Sequence, residues 1–352
     1  MHASTVAIDL AKEVFELAFA DVRGRVIERK RLSRKAFARV MEQRPPLRVV
    51  MEACGSAHHW GRRFQRQGCE VRLLPARDVR PYVRGNKTDR NDVAGLLEAD
   101  RCGDIREVPL KTPEQQGVQA LHRLREHLKA ERTATINLLR GILREFGVVI
   151  PNGSARVPGA VREALEDGDN ELPMALRHSL DEQLQRLVGL QAGMAAIEER
   201  LQAFADRDVA VHRYLGVPGV GLLTATALRA SAGDLSRFRS GRQFSAWLGL
   251  TPREHSSGRQ RRLGGLTKRG DVYLRTLLIH GARSVLQAAR MKQRRGQPLD
   301  PLQTWAVSVQ QRQGHNKAAC ALANKLARRL WAMERHGKGF DPHHLSQRPV
   351  VA

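Results

Sequence analysis

Along the first third of the chain, apolar residues fall in short blocks separated by polar or turn-forming positions. "TVAIDL", "VFELAFAD" and "RVIERKRL", between Thr5 and Leu32, alternate or run as β-rich stretches with Gly24 in a turn, and they predict three successive strands in a meander. "SRKAFARVMEQ" shifts to helical spacing with Ser33 at the N-cap. A buried strand, "LRVVMEAC", a helix around "AHHWGRRFQRQG" and a further strand, "CEVRLLPA", come next. "NKTDRNDVAGLLEADR" reads as helical from about Asp89. Strands and helices in this order predict a mixed α/β layer fold over residues 1–110.

The middle of the chain changes period. "TPEQQGVQALHRLREHLKAERTATINLLRGILREFG" is one long helix, with Thr112 at the N-cap, Pro113 at its first position and Gly147 after its last turn. Leu121, Leu124, Leu128, Leu138, Leu139, Ile142 and Leu143 form its expected apolar stripe. Residues 151–171, "PNGSARVPGAVREALEDGDNE", read as a linker or short elbow. A second long helix carries Leu180, Leu184, Leu187, Met194, Ile197 and Leu201 near heptad spacing. Residues 111–208 are thus expected to form an antiparallel coiled-coil arm or a self-association surface.

From about Val211 two helices flank "GVPGVG". Gly219 and Gly221 let backbone amides face an anion, as in a helix-hairpin-helix, or the segment is a plain helix–turn–helix core. A loop follows, "TPREHSSGRQRRLGGLTKRG", with six cations and one acid, and then amphipathic helices complete an all-α segment over 209–340. Residues 341–352 are expected to be a flexible tail.

Composition narrows the class. Sixty Lys and Arg against thirty-six Asp and Glu give a formal charge of +24, which points to a polyanionic partner, nucleic acid above all. Aromatics are 5%, too few for a platform that reads single strands mainly by stacking. Cys54, Cys69, Cys102 and Cys320 are scattered, which disfavours a zinc site or a disulfide framework. Acidic residues interrupt the apolar stretch near the N-terminus, so no signal peptide or membrane span is expected there, and a cytoplasmic location is.

The carboxylates carry the chemistry. Asp9 and Glu52 each follow an apolar run at the end of a predicted strand, and Asp89 and Asp92 share a helix face. Each alone is equally a surface acid or a cap. Together they make an all-oxygen set suited to a hard ion, Mg²⁺, one or a pair. Two such ions can clamp the attacking and leaving oxygens of a phosphodiester. In the basic loop, Ser256 and Ser257 are candidate nucleophiles. Arg253, Arg259, Arg261, Arg262, Lys268 and Arg269 could neutralise a phosphate beside them. A serine pair that only contacts phosphate is the alternative.

"VAIDLAKEVFELA", "VVMEACGSAHHW" and "GNKTDRNDVAGLLEADR" resemble the Asp-Glu-Asp-Asp motifs of the DEDD transposases, the insertion-sequence one-ten family related to the Piv DNA invertases. "FSAWLGLTPREHSSGRQRRLGGLTKRGDVYLRTLLIHGARSVL" resembles that family's C-terminal domain, and "CALANKLARRLWAM" resembles its eleven-eleven subgroup. The resemblance implies an RNase H-type, RuvC-like N-terminal domain whose acids are Asp9, Glu52, Asp89 and Asp92. It also implies a helical domain with a nucleophilic serine at Ser257, a guide (bridge) RNA, and an oligomer assembled on donor and target DNA. Two rivals stay open: a metal-dependent nuclease that uses water, and a non-catalytic architectural binder.

Overall fold

The computed structural model describes residues 3–86 and 88–343. The chain divides into two compact units, Met1–Thr112 and Pro113–Ala352.

In the first unit, β1 (Thr5–Asp9), β2 (Val14–Ala20) and β3 (Val26–Ser33) form the expected antiparallel meander, with Gly24 at φ +79° in its second turn. β4 (Arg48–Glu52) and β5 (Glu70–Leu74) add in parallel, giving the order β3-β2-β1-β4-β5. Side chains alternate across a strand, so the sheet has two unlike faces. On one face Val6, Ile8, Phe15, Leu17, Phe19, Val49 and Met51 pack under α1 (Arg34–Glu42) and α2 (Ala57–Arg66). Phe15, Phe37, Trp60 and Phe64 cluster there, stacked face to face in the pairs Phe15–Phe37 and Trp60–Phe64 and edge to face in the others, with centroids 4.5–5.9 Å apart. Ser33 caps α1 by accepting from the Ala36 amide, as its position in the sequence predicts.

The other face is floored by Ala7, Ala18 and Ala20 with Val50 and Leu74. Such small residues leave room for a helix to lie close. After α3 (Ala76–Val79) and a 3₁₀ turn, α4 (Asp89–Arg101) fills that room with Val93, Leu96, Leu97 and Ala99. Thr88 is its N-cap.

The second unit holds α5 (Pro113–Glu145), α6 (Val157–Glu166), α7 (Met174–Ala205), α8 (Val209–Leu215), α9 (Leu222–Ala232) and α10 (Gly241–Trp247). A hairpin of β6 (Pro252–Glu254) and β7 (Leu263–Leu266) follows, and then α11 (Val272–Arg294), α12 (Pro301–Gln313) and α13 (His315–His336). α5 ends at Gly147 with φ +75°, where the Gly147 and Val148 amides bond the Arg144 and Leu143 carbonyls. α5 and α7 run antiparallel: Arg125 pairs with Glu198, Leu128 lies against Gly193 and Arg186 approaches Glu131.

Three details differ from the sequence pattern. Residues 151–171 contain α6, whose Val157, Val161 and Ala164 share a core with α5 and α7. Its Pro158 sits in the first turn, where a missing amide costs nothing, so a residue that looks like a breaker is a starter. On α5, Leu124 and Leu138 are exposed, and Val118, His122 and Ile136 are buried in their place. The helix serves two cores, Val118 in one and Ile136 in the other, so its buried face follows no single stripe. Finally, Ile197, Leu201 and Phe204 of α7 enter the same core as α8–α13, within one compact unit. Of the expected tail, residues 344–352 lie outside the described residues.

Candidate active site

Asp9 is the last residue of β1 and Glu52 the last of β4. The register Ile8↔Met51 sets the two residues at the C-terminal ends of parallel neighbours, near enough for the Glu52 charge to act on Asp9, although Glu52 is not among the carboxylates that gather most closely. By alternation both face α4. Helix α4 begins there, and Asp89 and Asp92 occupy its first turn, where the helix dipole favours negative charge. One carboxylate oxygen from each of Asp9, Asp89 and Asp92 lies within 4.8 Å of the others.

Crowding has an electrostatic consequence. Asp9 is pushed up from 3.8 to about 6, first by burial and then by the charges of Asp92, Asp89, Glu52 and Glu16. Among the described residues, Asp9, Asp89 and Asp92 have no Lys or Arg ion pair. Converging carboxylates without a cation suit a hard divalent ion, which would remove the repulsion that the fold imposes.

Ser256 and Ser257 lie in the second unit, on the β6–β7 hairpin. Ser257 and Gln260 exchange both backbone hydrogen bonds at 3.3 and 3.1 Å. They close a two-residue turn of Gly258, at φ +55°, and Arg259. Residues 252–265 are exposed throughout. The two hydroxyls differ. Ser256 Oγ donates to Glu254 Oε1 at 2.8 Å and accepts from the Arg262 amide at 3.2 Å. The Ser256 hydroxyl and Arg261 hold the Glu254 carboxyl below its ordinary range. Ser257 Oγ has no hydrogen-bond partner among the described residues. Arg261 pairs with Glu254 at 3.2 Å, while Arg253, Arg259, Arg262, Lys268 and Arg269 form no ion pair among the described residues.

Two family models match the chain. One, of the DEDD IS110 type and described as a transposase, matches residues 6–148; the other, described as the IS116/IS110/IS902 transposase family, matches residues 212–296. A probable family 20 transposase of Pseudomonas aeruginosa is 43% identical over 95% of this chain and 97% of its own length. The transposase for insertion sequence element IS1111A of Coxiella burnetii is 39% identical, with 93% and 88% covered. That for IS1328 of Yersinia enterocolitica is 35% identical, with 97% and 99% covered. The chain belongs to the IS116/IS110/IS902 family of DNA transposases.

Several features of this transposase are not evident from its motifs. Glu16 stands opposite Asp9 in the β1–β2 ladder and adds to the negative charge. Only the hairpin register, not the spacing of a motif, signals it. The root of the serine hairpin is a second. Trp247–Gly249 and Arg269–Gly270 cross so closely that a Cβ on Gly249 would meet the Arg269 oxygen at 1.9 Å, and one on Gly270 the Trp247 oxygen at 1.9 Å. Buried Arg275 donates to the Leu248 and Arg269 carbonyls at 3.0 and 3.2 Å and ties the crossing together.

Gly219 and Gly221 sit between α8 and α9, beside a groove of about 720 Å³ lined largely by Leu, Val and Gly. Gly219, at φ +82°, would place a Cβ 2.6 Å from the Gly281 oxygen. Close approach of α11 therefore accounts for that glycine. Gly221 is the N-cap of α9, with open space around it. No helix among the described residues is long and apolar enough to cross a membrane.

Proposed function

We propose that this transposase cuts and rejoins DNA through a covalent phosphoserine on Ser257, with Asp9, Glu52, Asp89 and Asp92 holding Mg²⁺. One observation carries the choice of serine. Ser257 offers an unengaged hydroxyl at an exposed cationic tip, whereas Ser256 is occupied by Glu254 and the Arg262 amide. Ser257 Oγ loses its proton and bonds to phosphorus. The bond from phosphorus to the 3′ oxygen breaks, and that oxygen leaves as a 3′ hydroxyl after taking up a proton. A 3′ hydroxyl of the exchanged strand then attacks the 5′-phosphoserine, releases Oγ and reseals the DNA, so no ATP is needed.

Arg253, Arg259, Arg261, Arg262, Lys268 and Arg269 neutralise the non-bridging oxygens, the arginines in two-pronged fashion and the lysine as a point charge. An ion bound at the four carboxylates supplies Lewis-acid stabilisation of charge developing on the phosphate. Gly221, the N-cap of α9 with open space around it, lets the first amides of that helix hold a backbone phosphate. The strand order β3-β2-β1-β4-β5, with acids at the strand ends, supports an RNase H-type, RuvC-like reading of the first unit. The charge of +24 supports polyanionic partners. We take these to be donor and target DNA and a structured bridge RNA, engaged by an oligomer in the cytoplasm, with the long helices α5 and α7 as the arm.

A suicide DNA substrate tests the chemistry. The expected product is a protein–DNA adduct that survives denaturation, vanishes in Ser257→Ala and persists in Ser256→Ala. One observation favours a second reading, a water-using nuclease. The acids gather within the first unit alone, and a carboxyl pushed up to about 6 can accept a proton from water near neutral pH. That reading predicts free 5′ phosphates and no adduct.

A further inference from the structure

The far end of α4 is fastened to the sheet by an ion triad around a buried carboxylate. Asp100, its carboxylate 7% exposed, is bonded by Arg72 Nη1, which also donates to the Asp100 main-chain carbonyl at 2.9 Å. Arg48 Nη1 approaches the second carboxylate oxygen at 3.6 Å. Arg48 opens β4 and Arg72 lies in the middle of β5, so one helix residue is gripped by two adjacent strands. The outward charges are balanced by Glu70 on Arg48 and Glu107 on Arg72.

Two spans of nearly equal length run from this triad to the acidic site. Along β4, Arg48 and Glu52 are four residues apart, about 13 Å at strand rise. Along α4, Asp92 and Asp100 are eight residues apart, about 12 Å at helical rise. Helix and strand run in opposite directions. Pinning Asp100 to Arg48 and Arg72 at one end therefore fixes how far Asp92 and Asp89 reach toward Asp9 and Glu52 at the other.

Apolar packing holds α4 down, with Val93, Leu96, Leu97 and Ala99 buried and Gly95 close against Val83, but gives it little directional grip along its axis. The floor beneath α4 is largely alanine, Ala7, Ala18 and Ala20, which offers few projections to lock a sliding helix. Hydrogen-bonded ion pairs are directional and do not tolerate a slip.

We propose that Asp100, with Arg72 and Arg48, is a positioning residue that sets the height of the Asp89–Asp92 pair over Asp9 and Glu52, and thereby the site's affinity for a divalent ion. The proposal rests on the reading that these four carboxylates hold such an ion.

The test is Mn²⁺ binding to the full chain without nucleic acid, read as loss of the free-ion electron paramagnetic resonance signal. Each variant is titrated well below its melting temperature. Wild type binding no Mn²⁺ at the site, with Asp9→Ala indistinguishable from it, would overturn the metal reading itself. If wild type binds, Asp100→Asn should weaken binding about tenfold, the scale expected for groups that orient ligands. Glu107→Gln, which removes only an outer partner of Arg72, should stay within about twofold. Stability is separated by the double replacement Asp100→Leu with Arg72→Met, since well-packed apolar groups often restore what a broken buried pair loses. A recovered melting temperature with affinity still about tenfold weak supports positioning. Affinity that recovers along with the melting temperature, or Asp100→Asn binding as tightly as wild type, overturns it.

Discussion

The acidic site and the serine hairpin are built in opposite ways. The carboxylates are gathered by packing: parallel strand ends and a capped helix over an alanine floor bring them together, with Asp9 half-buried and Asp89 exposed, and set their charges against one another. The hairpin projects its hydroxyl into solvent on residues 252–265 and is packed against the rest of its unit at its root, where two glycines and Arg275 clamp the crossing. A preformed pocket can be probed without substrate. A projecting hydroxyl acquires its surroundings only when nucleic acid or another part of the assembly meets it.

That contrast is broken most directly by mixing variants. Under the proposed chemistry, Ser257→Ala and Asp9→Ala should each abolish strand exchange, by about a thousandfold or more, since one removes the proposed nucleophile and the other a proposed metal ligand. If the hydroxyl of one subunit works with the acids of another, an equimolar mixture of the two inactive proteins should recover part of the wild-type rate. Strand exchange in vitro is the measurement. No recovery would confine both halves to one polypeptide.

The hairpin's root comes next. Gly249→Ala and Gly270→Ala each drive a Cβ to 1.9 Å from a carbonyl oxygen at positive φ, +72° and +87°. Each should cost several kcal/mol, or splay the hairpin. Arg275→Met leaves the buried Leu248 carbonyl and the part-buried Arg269 carbonyl without their donor, a loss of about 1–3 kcal/mol. Amide exchange measures the outcome: protection should fall at Leu248–Thr251 and Thr267–Arg269 and stay unchanged in β1–β5.

What the sequence made legible follows the same division. Strand ends after apolar runs, such as Asp9 after Val6–Ile8, and caps such as Ser33 and Thr88 are local signals. The elements of the first unit could therefore be read in order. Glu16 and Asp100 were invisible because their partners come from register and from a helix crossing the sheet, which no spacing encodes. α6 was hidden by Pro158 and Gly159, residues that mark loops except in a first turn. The serines stood out by composition. Which of the two is unengaged depends on Glu254 and Arg262 across the hairpin, a fact of pairing.

Charge at the acidic site gives a smaller effect with a definite sign. In the metal-free fold Asp9 holds its proton up to about pH 6, while the unfolded chain releases it near 3.8. The folded state thus binds more protons in that window, so stability falls as pH rises through it and stays lowered above it. Asp9→Asn should stabilise the metal-free protein by about 1–2 kcal/mol at pH 7.5, after allowance for solvent screening. The gain should fade as pH is lowered toward 4. Urea unfolding in chelator at several pH values measures it, and excess divalent ion should shrink the advantage by relieving the same repulsion in wild type.

The smallest effect is expected at the hairpin's tip, and it separates charge from chemistry. Arg259 is exposed, has no ion pair among the described residues, and lies in the turn beside Ser257. If it contacts one phosphate, Arg259→Ala should lower the slope of log affinity against log salt by about 1 and weaken binding similarly for unrelated DNA sequences. Arg261 should give less, because Glu254 already offsets part of its charge in the wild-type hairpin. Neither change should alter the melting temperature by more than about 0.5 kcal/mol equivalent, since both side chains lie outside the core. A loss of affinity confined to one DNA sequence would instead assign Arg259 to reading a base edge, and the tip would then be a recognition element as well as the carrier of the hydroxyl.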